Sequence, residues 1–394
     1  MDYNLQWLLL GLPIAFALGW LGSRLDLRQL KREQSDSPRA YFKGLNLLLN
    51  EQPDKAIDAF IEAVQHDPDT SDLHFALGSL FRRRGEFERA VRVHQHLLAR
   101  GDLPRPERER AQHALAQDFM KAGLFDRAEE AFNALEGTAF ESDARLALLT
   151  LYERARDWHR AADIAAKLEA SGSGSFAQRI AHHWCEIALD ADTAGRHEDA
   201  EAALRRAREV APNAARTLVL VLERALRGGQ PQRAFEAGVE LLRRDGAAAY
   251  LLVAQDHARA ALACGRAEEA RAQIEALYAS EPSLDLLRAL MLLVSPSAAR
   301  VRLERHLAHH PSLGAAAALL GSDLPGPLAE PGARAATTAA PALPQGLRDA
   351  VERAARPLAR YRCAACGFEA QRHFWQCPGC SGWDTFPSRR LEEQ

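Results

Sequence analysis

Leu77 to Gln95 reads LGSLFRRRGEFERAVRVHQ, and this stretch decides the fold. Leu77-Gly78 and Phe81 lie on one helical face, Arg84-Gly85-Glu86 breaks the helix, and Ala90 opens a second helical pattern. The same order of residue types recurs on both sides. Upstream it is Gly44, Ala56, Phe60, Ala63 and Pro68; downstream it is Leu115-Ala116, Phe119, Gly123, Ala128 and Phe132. Leu148, Tyr152, Ala161 and Leu168 give a fourth unit, and Trp184, Ile187-Ala188, Gly195, Ala200, Leu204, Ala207 and Pro212 a fifth. Weaker units centre on Ala234, Ala270 and Ala299, the last two ending at Pro282 and Pro311. The marker alanines 56, 90, 128, 161, 200, 234, 270 and 299 are spaced by 34, 38, 33, 39, 34, 36 and 29 residues.

A period near 34 with small residues at fixed offsets is that of the tetratricopeptide repeat. Two helices that pack closely need Gly or Ala where they cross, and large residues beside the crossing fill the gap to the next pair. No single pair buries enough apolar surface alone, but stacked pairs do. The expected fold is therefore all-α, a solenoid over residues 39–313 offering an extended surface to peptides or proteins. A generic helical bundle lacks this period. Gly172 and Gly174 among serines read as a loop, without the spacing of a phosphate cradle.

The N-terminal end is different. Tyr3 to Ser23 reads YNLQWLLLGLPIAFALGWLGS, without a formal charge. As a helix it would span roughly 31 Å, about the hydrocarbon thickness of a bilayer. Trp7 and Trp20 sit near its ends, as interfacial rings do, and Pro13 is tolerable in such a helix. Asp2 stands where a secretory signal needs basic residues, so residues 1–23 read as a transmembrane anchor. Arg24, Arg28, Lys31 and Arg32 make 24–38 a basic juxtamembrane linker, which leaves the bulk of a single-pass chain in the cytoplasm.

Towards the C-terminus, residues 314–346 carry Pro325, Pro327, Pro331, Pro341 and Pro344 among Ala, Gly and Thr, a linker composition. A short helix is expected over 347–360, a metal-binding domain over 361–388 and a tail over 389–394. Cys363-x2-Cys366 and Cys377-x2-Cys380 are two knuckles separated by ten residues. Gly367 and Pro378-Gly379 suit their turns, and in a reducing compartment such thiols bind metal in preference to pairing. The expected site is a closed, rubredoxin-like tetrahedron of Cys363, Cys366, Cys377 and Cys380. Zinc is the expected ion, with iron the alternative, since four sulfurs accept either. So small a domain cannot build a sufficient core without a metal. Phe368, Phe374, Trp375, Trp383 and Phe386 exceed what it can bury, so some should dock on the solenoid or on a partner.

Composition narrows the function. Fifty basic and 53 acidic residues give a net charge of −3, and six cysteines in 394 residues exclude a disulfide scaffold. From Arg356 onward, six arginines face four acidic residues, and four thiolates with one Zn²⁺ cancel the surplus, so no nucleic-acid partner is expected. Cys185 and Cys264 read as buried small hydrophobes. His182-His183 lie beside Trp184 at a helix start, and His306 and His310, at i, i+4, read as a solvated helix end. Glu129-Glu130 and Glu268-Glu269 read as solvated faces. No nucleophile elbow, Walker A loop, dinucleotide fingerprint or His-Glu-x-x-His is present, so the chain is not expected to be an enzyme.

The anchor, the repeats YFKGLNLLLNEQPDKAIDAF and LGSLFRRRGEFERAVRVHQ, and the tail YRCAACGF…WQCPGC together resemble the lipopolysaccharide assembly protein B (LapB/YciM) family, nearly end to end. The resemblance implies a non-enzymatic adaptor on the cytoplasmic side of the inner membrane. It implies partners in the membrane AAA protease FtsH and its substrate LpxC, the deacetylase committing precursor to lipid A, with a LapC/YejM-type regulator in opposition. The four cysteines carry over as Cys363, Cys366, Cys377 and Cys380. Two other readings stay open at this point: a non-proteolytic scaffold for lipopolysaccharide enzymes, and a redox module with iron on the four cysteines. Homo-oligomer formation is left open.

Overall fold

The computed structural model describes residues 42–47, 50, 52–66, 70–245, 248–320 and 345–394, together with Phe16 and Trp20. The expected anchor therefore lies outside the described residues except at those two positions, as do residues 321–344 of the Pro-rich linker. Among the described residues, no helix is long and apolar enough to cross a membrane. The chain divides into two compact units, 1–156 and 157–394.

In the first unit, six helices follow the short helical turn at 42–47: α1 (Pro53–His66), α2 (Ser71–Arg83), α3 (Phe87–Ala99), α4 (Arg105–Ala122), α5 (Phe125–Asn133) and α6 (Glu141–Ala155). The crossing residues do what the repeat requires. A methyl group on Gly44 would come within 2.7 Å of the Phe60 ring, and one on Gly78 within 2.5 Å of the His94 ring, so neither position accepts a side chain. Gly123 ends α4 at φ 76°, the left-handed turn that glycine adopts without strain. His94 is fully buried where the first repeat has Phe60, and one side of its polar ring is satisfied: Asp118 pairs with its Nδ1 at 2.5 Å and itself accepts from Arg82 at 2.8 Å, while Nε2 is buried without a hydrogen-bond partner among the described residues.

The second unit continues the pattern with α7 (Trp158–Ala170), α8 (Ala177–Thr193), α9 (His197–Val210), α10 (Ala215–Arg227), α11 (Pro231–Asp245), α12 (Ala254–Ala263), α13 (Ala267–Ser280), α14 (Leu284–Leu292) and α15 (Pro296–His309). Then come α16 (Leu313–Leu320) and α17 (Gln345–Leu358), and a two-stranded antiparallel ribbon of β1 (Tyr361–Arg362) and β2 (Glu369–Ala370), with Tyr361 opposite Ala370. All eight marker alanines, from Ala56 to Ala299, are at 0% exposure, so the weak later units keep the same packing phase as the early ones. The largest core among the described residues joins Phe235, Leu241, Ile274 and Leu290 from α11, α13 and α14 with Tyr250 from the 3-10 turn Tyr250–Leu252. Each buried side chain of that size contributes about 2–3 kcal/mol.

Three expectations need correction. The helical body extends past 313, because LGAAAALL is apolar enough to bury Ala315 and Ala318 against Leu284, Leu287 and Leu303. His306 is not a solvated end: it is 5% exposed, and its Nδ1 meets the Tyr278 hydroxyl at 2.6 Å. Cys185 is buried as expected, but Cys264 is only half-buried, its thiol directed at the Ala261 carbonyl at the end of α12.

Candidate metal centre

Backbone turns aim the four thiols. In the first knuckle, the Cys363 N–H donates to the Phe368 carbonyl and the Gly367 N–H to the Cys363 carbonyl, both at 2.9 Å, with Gly367 at φ 77°. In the second, the N–H groups of Cys377 and Ser381 donate to the carbonyls of Gly382 and Cys377 at 2.8 Å, and the Gly379 N–H reaches the Cys377 sulfur at 3.3 Å. All four Sγ atoms lie within 4.8 Å of one another. Cys363 and Cys380 are 3.9 Å apart, and Cys366 and Cys377 3.6 Å. Four sulfurs at the ~2.3 Å bond length of a tetrahedral zinc site would be about 3.8 Å apart.

The electrostatics agree with that fit. Burial pushes the Cys363 thiol up, but hydrogen bonds from the Thr385 hydroxyl and from the N–H groups of Cys366 and Ala365 bring it down to about 6. Cys366 accepts from the Phe368 N–H, which lowers its pKa, yet loss of water and the three neighbouring thiols push it up to about 12. Four thiols this close cannot all ionise without a cation between them, and a divalent ion supplies that charge. With every position taken by sulfur, such an ion would hold structure and bind no water for hydrolysis.

The aromatic surplus divides as its size demands. Phe374 and Phe386 join Tyr361, Cys363 and Cys377 in a small core that also takes Leu252 from the solenoid, while Phe368 stays 41% exposed. Trp375 and Trp383 leave the ribbon and dock on the repeats. Trp383 stacks on the His182 ring at 4.8 Å and 12°, and meets Trp158 edge-on at 6.2 Å. The guanidinium of Arg216 lies 5.9 Å from the Trp375 ring and 5.7 Å from the Trp383 ring. Arg216 is 4% exposed, and Glu186 neutralises it at 2.5 Å. Asp384, next to Trp383, accepts from His182 Nε2 at 2.8 Å, so the adjacent pair Trp383-Asp384 grips one imidazole by face and by edge.

The C-terminal residues form a second clamp. Arg390 makes a two-pronged pair with buried Asp285 at 2.9 and 3.1 Å and donates to the Ala359 carbonyl at 2.8 Å. Glu393 accepts from the Leu284 N–H and the Ser283 hydroxyl at the start of α14, and Glu392 from the Gly314 N–H at the start of α16. Carboxylates at helix N-termini complement unpaired N–H groups and the helix dipole. Residues 389–394, expected as a plain tail, are thus a strap. Sequence reasoning gave no role to Arg216, Asp384, Arg390, Glu392 or Glu393. Their partners lie from 30 to 202 positions away, and no motif relates them.

Repeats of paired helices with a four-cysteine ribbon clamped on them define the class: a tetratricopeptide-repeat protein carrying its own small metal-binding domain. Residues 43–102 match the tetratricopeptide repeat family, and residues 361–387 the rubredoxin metal binding domain. Lipopolysaccharide assembly protein B of Escherichia coli strain K12 is 32% identical over 394 residues, covering 98% of this chain and 99% of that protein. The protein of the same name from Haemophilus influenzae is 27% identical, covering 97% of each chain. The chain therefore belongs to the lipopolysaccharide assembly protein B family. Among solved structures, a tetratricopeptide repeat protein from Parabacteroides merdae is similar at a TM-score of 0.33 and 14% identity, over 66% of this chain and 99% of that one.

Proposed function

We propose that this chain is a non-enzymatic adaptor in lipopolysaccharide assembly, held at the inner membrane by residues 1–23 with its bulk in the cytoplasm. In this reading it promotes degradation of LpxC by FtsH, and a LapC/YejM-type membrane protein opposes it. The observation that carries the reading is the end-to-end similarity to lipopolysaccharide assembly protein B of Escherichia coli. The architecture supports it: stacked helix pairs supply a binding surface, and an anchor would raise the local concentration of membrane partners without new contacts. Zinc on Cys363, Cys366, Cys377 and Cys380 would fix the ribbon against the repeats.

The test is the half-life of LpxC after protein synthesis is blocked, in the native bacterium with and without this protein. Depletion should lengthen the half-life several-fold, and the Cys363→Ser variant should fail to restore it. An unchanged half-life would remove the proteolytic role and favour a scaffold that holds lipopolysaccharide enzymes together. Metal identity has its own measurement: the purified chain should be colourless with one zinc, and a visible band bleached by dithionite would replace zinc with iron.

A further inference from the structure

The deepest polar groups where the ribbon meets the repeats belong to the solenoid. His182 is 1% exposed and Arg216 4%, and Trp158 is buried beside them. One dipeptide of the ribbon fills the place they frame. The Trp383 ring lies flat on His182 and faces the Arg216 guanidinium, and the Asp384 carboxylate accepts the Nε2 hydrogen of the same imidazole. The chain thereby shows what this surface takes: an aromatic residue followed directly by an acidic one. The ring covers a buried imidazole and cation, and the carboxylate pairs with a buried N–H.

The resident dipeptide serves this place incompletely. A carboxylate only accepts, so the hydrogen of the neutral imidazole sits on Nε2 and Nδ1 is a bare acceptor. His182 Nδ1 is buried without a hydrogen-bond partner among the described residues. So is the Nε–H of Arg216, whose other nitrogens reach Glu186 and the His182 carbonyl. Each such atom weakens the hold on the resident by about tenfold. A domain on the same chain reaches its site at an effective concentration on the order of millimolar, which a free segment with the same two side chains would have to match. A segment that also brings a donor to His182 Nδ1 and an acceptor to Arg216 Nε recovers about a hundredfold. It then competes with the ribbon at about 10 μM.

We propose that this seam is an exchangeable docking site. A partner protein inserts a segment in which an aromatic residue precedes Asp or Glu, displaces Trp383-Asp384, and lifts the ribbon from the repeats. Hydroxyl or peptide groups of that segment serve His182 Nδ1 and Arg216 Nε. The ribbon is then the cover of a protein-binding site as well as a folded domain. The inference stands apart from the proteolytic role, because binding is read on purified protein and either can fail without the other.

The experiment uses a phage library fixed as an aromatic residue followed by Asp, with random residues on both sides. It is panned on the full Trp383→Ala chain in detergent micelles, whose far-UV spectrum checks that the helices are kept. Selected sequences are remeasured as synthetic peptides on that chain and on the parent. We expect peptides that bind the Trp383→Ala chain about tenfold more tightly than the parent, because the competing ring is gone. Changing their own Asp to Asn should weaken them about tenfold. At saturation on the parent chain they should speed hydrogen exchange of the amides in β1 and β2, the sign of a lifted ribbon. A panning that yields no binder would overturn the proposal, as would binders indifferent to their own Asp. So would peptides that saturate the parent chain while exchange in the ribbon stays unchanged, since they would occupy another surface.

Discussion

The solenoid and the ribbon are built by opposite means. Around Ala234, Phe235 and Tyr250 the solenoid sets small residues against large ones, and the neighbouring helix pair repeats the arrangement, so most stabilising contacts come from residues within one or two repeats. The ribbon has two strands of two residues each, a core of Tyr361, Cys363, Cys377 and Phe386, and four sulfurs converging on one point. Its largest side chains, Trp375 and Trp383, face outward onto His182 and Arg216. The solenoid carries its stability in its sequence period; the ribbon draws on an ion and on a neighbouring surface. A domain of that size has few alternatives.

Removing the metal should break this comparison most visibly. Structural zinc contributes on the order of 10–16 kcal/mol to small domains that fold around it, more than the ribbon's core can replace. Chelation, or Cys363→Ser, should unfold residues 361–388 and release both tryptophans from the repeats. The far-UV helical signal should remain, because the helices close their hydrogen bonds locally, while the near-UV signal should lose the share of Trp375 and Trp383 and keep that of Trp158 and Trp184 in the repeats. A metal-free chain that keeps its near-UV spectrum would show that docking, and not the ion, holds the ribbon.

The difference between the regions also explains what could be read in the sequence. Marker alanines and turn glycines follow a period, so eight crossings were legible, as were the cysteine knuckles, whose spacing is local. The surplus of aromatic residues in the ribbon correctly implied docking but could not name the acceptor. His182 and Asp384 meet across 202 positions, a relation set only by how the last domain folds back. His306 was misread for a similar reason: its partner Tyr278 belongs to the preceding helix pair. The misplaced linker boundary arose because an Ala-rich run between prolines has the same composition whether it packs as α16 or not.

A smaller effect should follow from Trp383→Ala, which leaves the cysteines in place. Removal of a fully buried large aromatic costs roughly 3 kcal/mol at the low end; Trp383 is half-buried, so its loss costs less and falls on the docking contact alone. The variant should keep its metal, while amides in α8 and α10 exchange hydrogen faster than in the parent chain. Unchanged exchange there, with the ribbon intact, would transfer the docking energy to Arg216 and to the C-terminal strap. Glu393→Gln separates those two, since it weakens the carboxylate cap on α14 and leaves both tryptophans in contact.

The subtlest expected difference lies inside the solenoid, where His257 occupies a crossing. Its ring presses on Gly238, where an added methyl would come within 2.5 Å, and its Nδ1 meets the Tyr250 hydroxyl at 2.6 Å. Nε2 is buried without a hydrogen-bond partner among the described residues. Protonation would place a charge in that apolar site, so burial drives the imidazole down to about 4, against 6.5 for a free one. The unfolded chain therefore binds a proton between those values that the folded chain refuses, and stability must fall as pH drops from 6.5 towards 4. The full effect is about 3 kcal/mol, present above pH 6.5 and gone below 4. Urea midpoints for the parent chain and for His257→Gln should diverge over this window, with the parent losing more on acidification. Both share the acid-sensitive cysteines, so the difference between their slopes isolates this one ring; parallel slopes would mean that water already reaches Nε2.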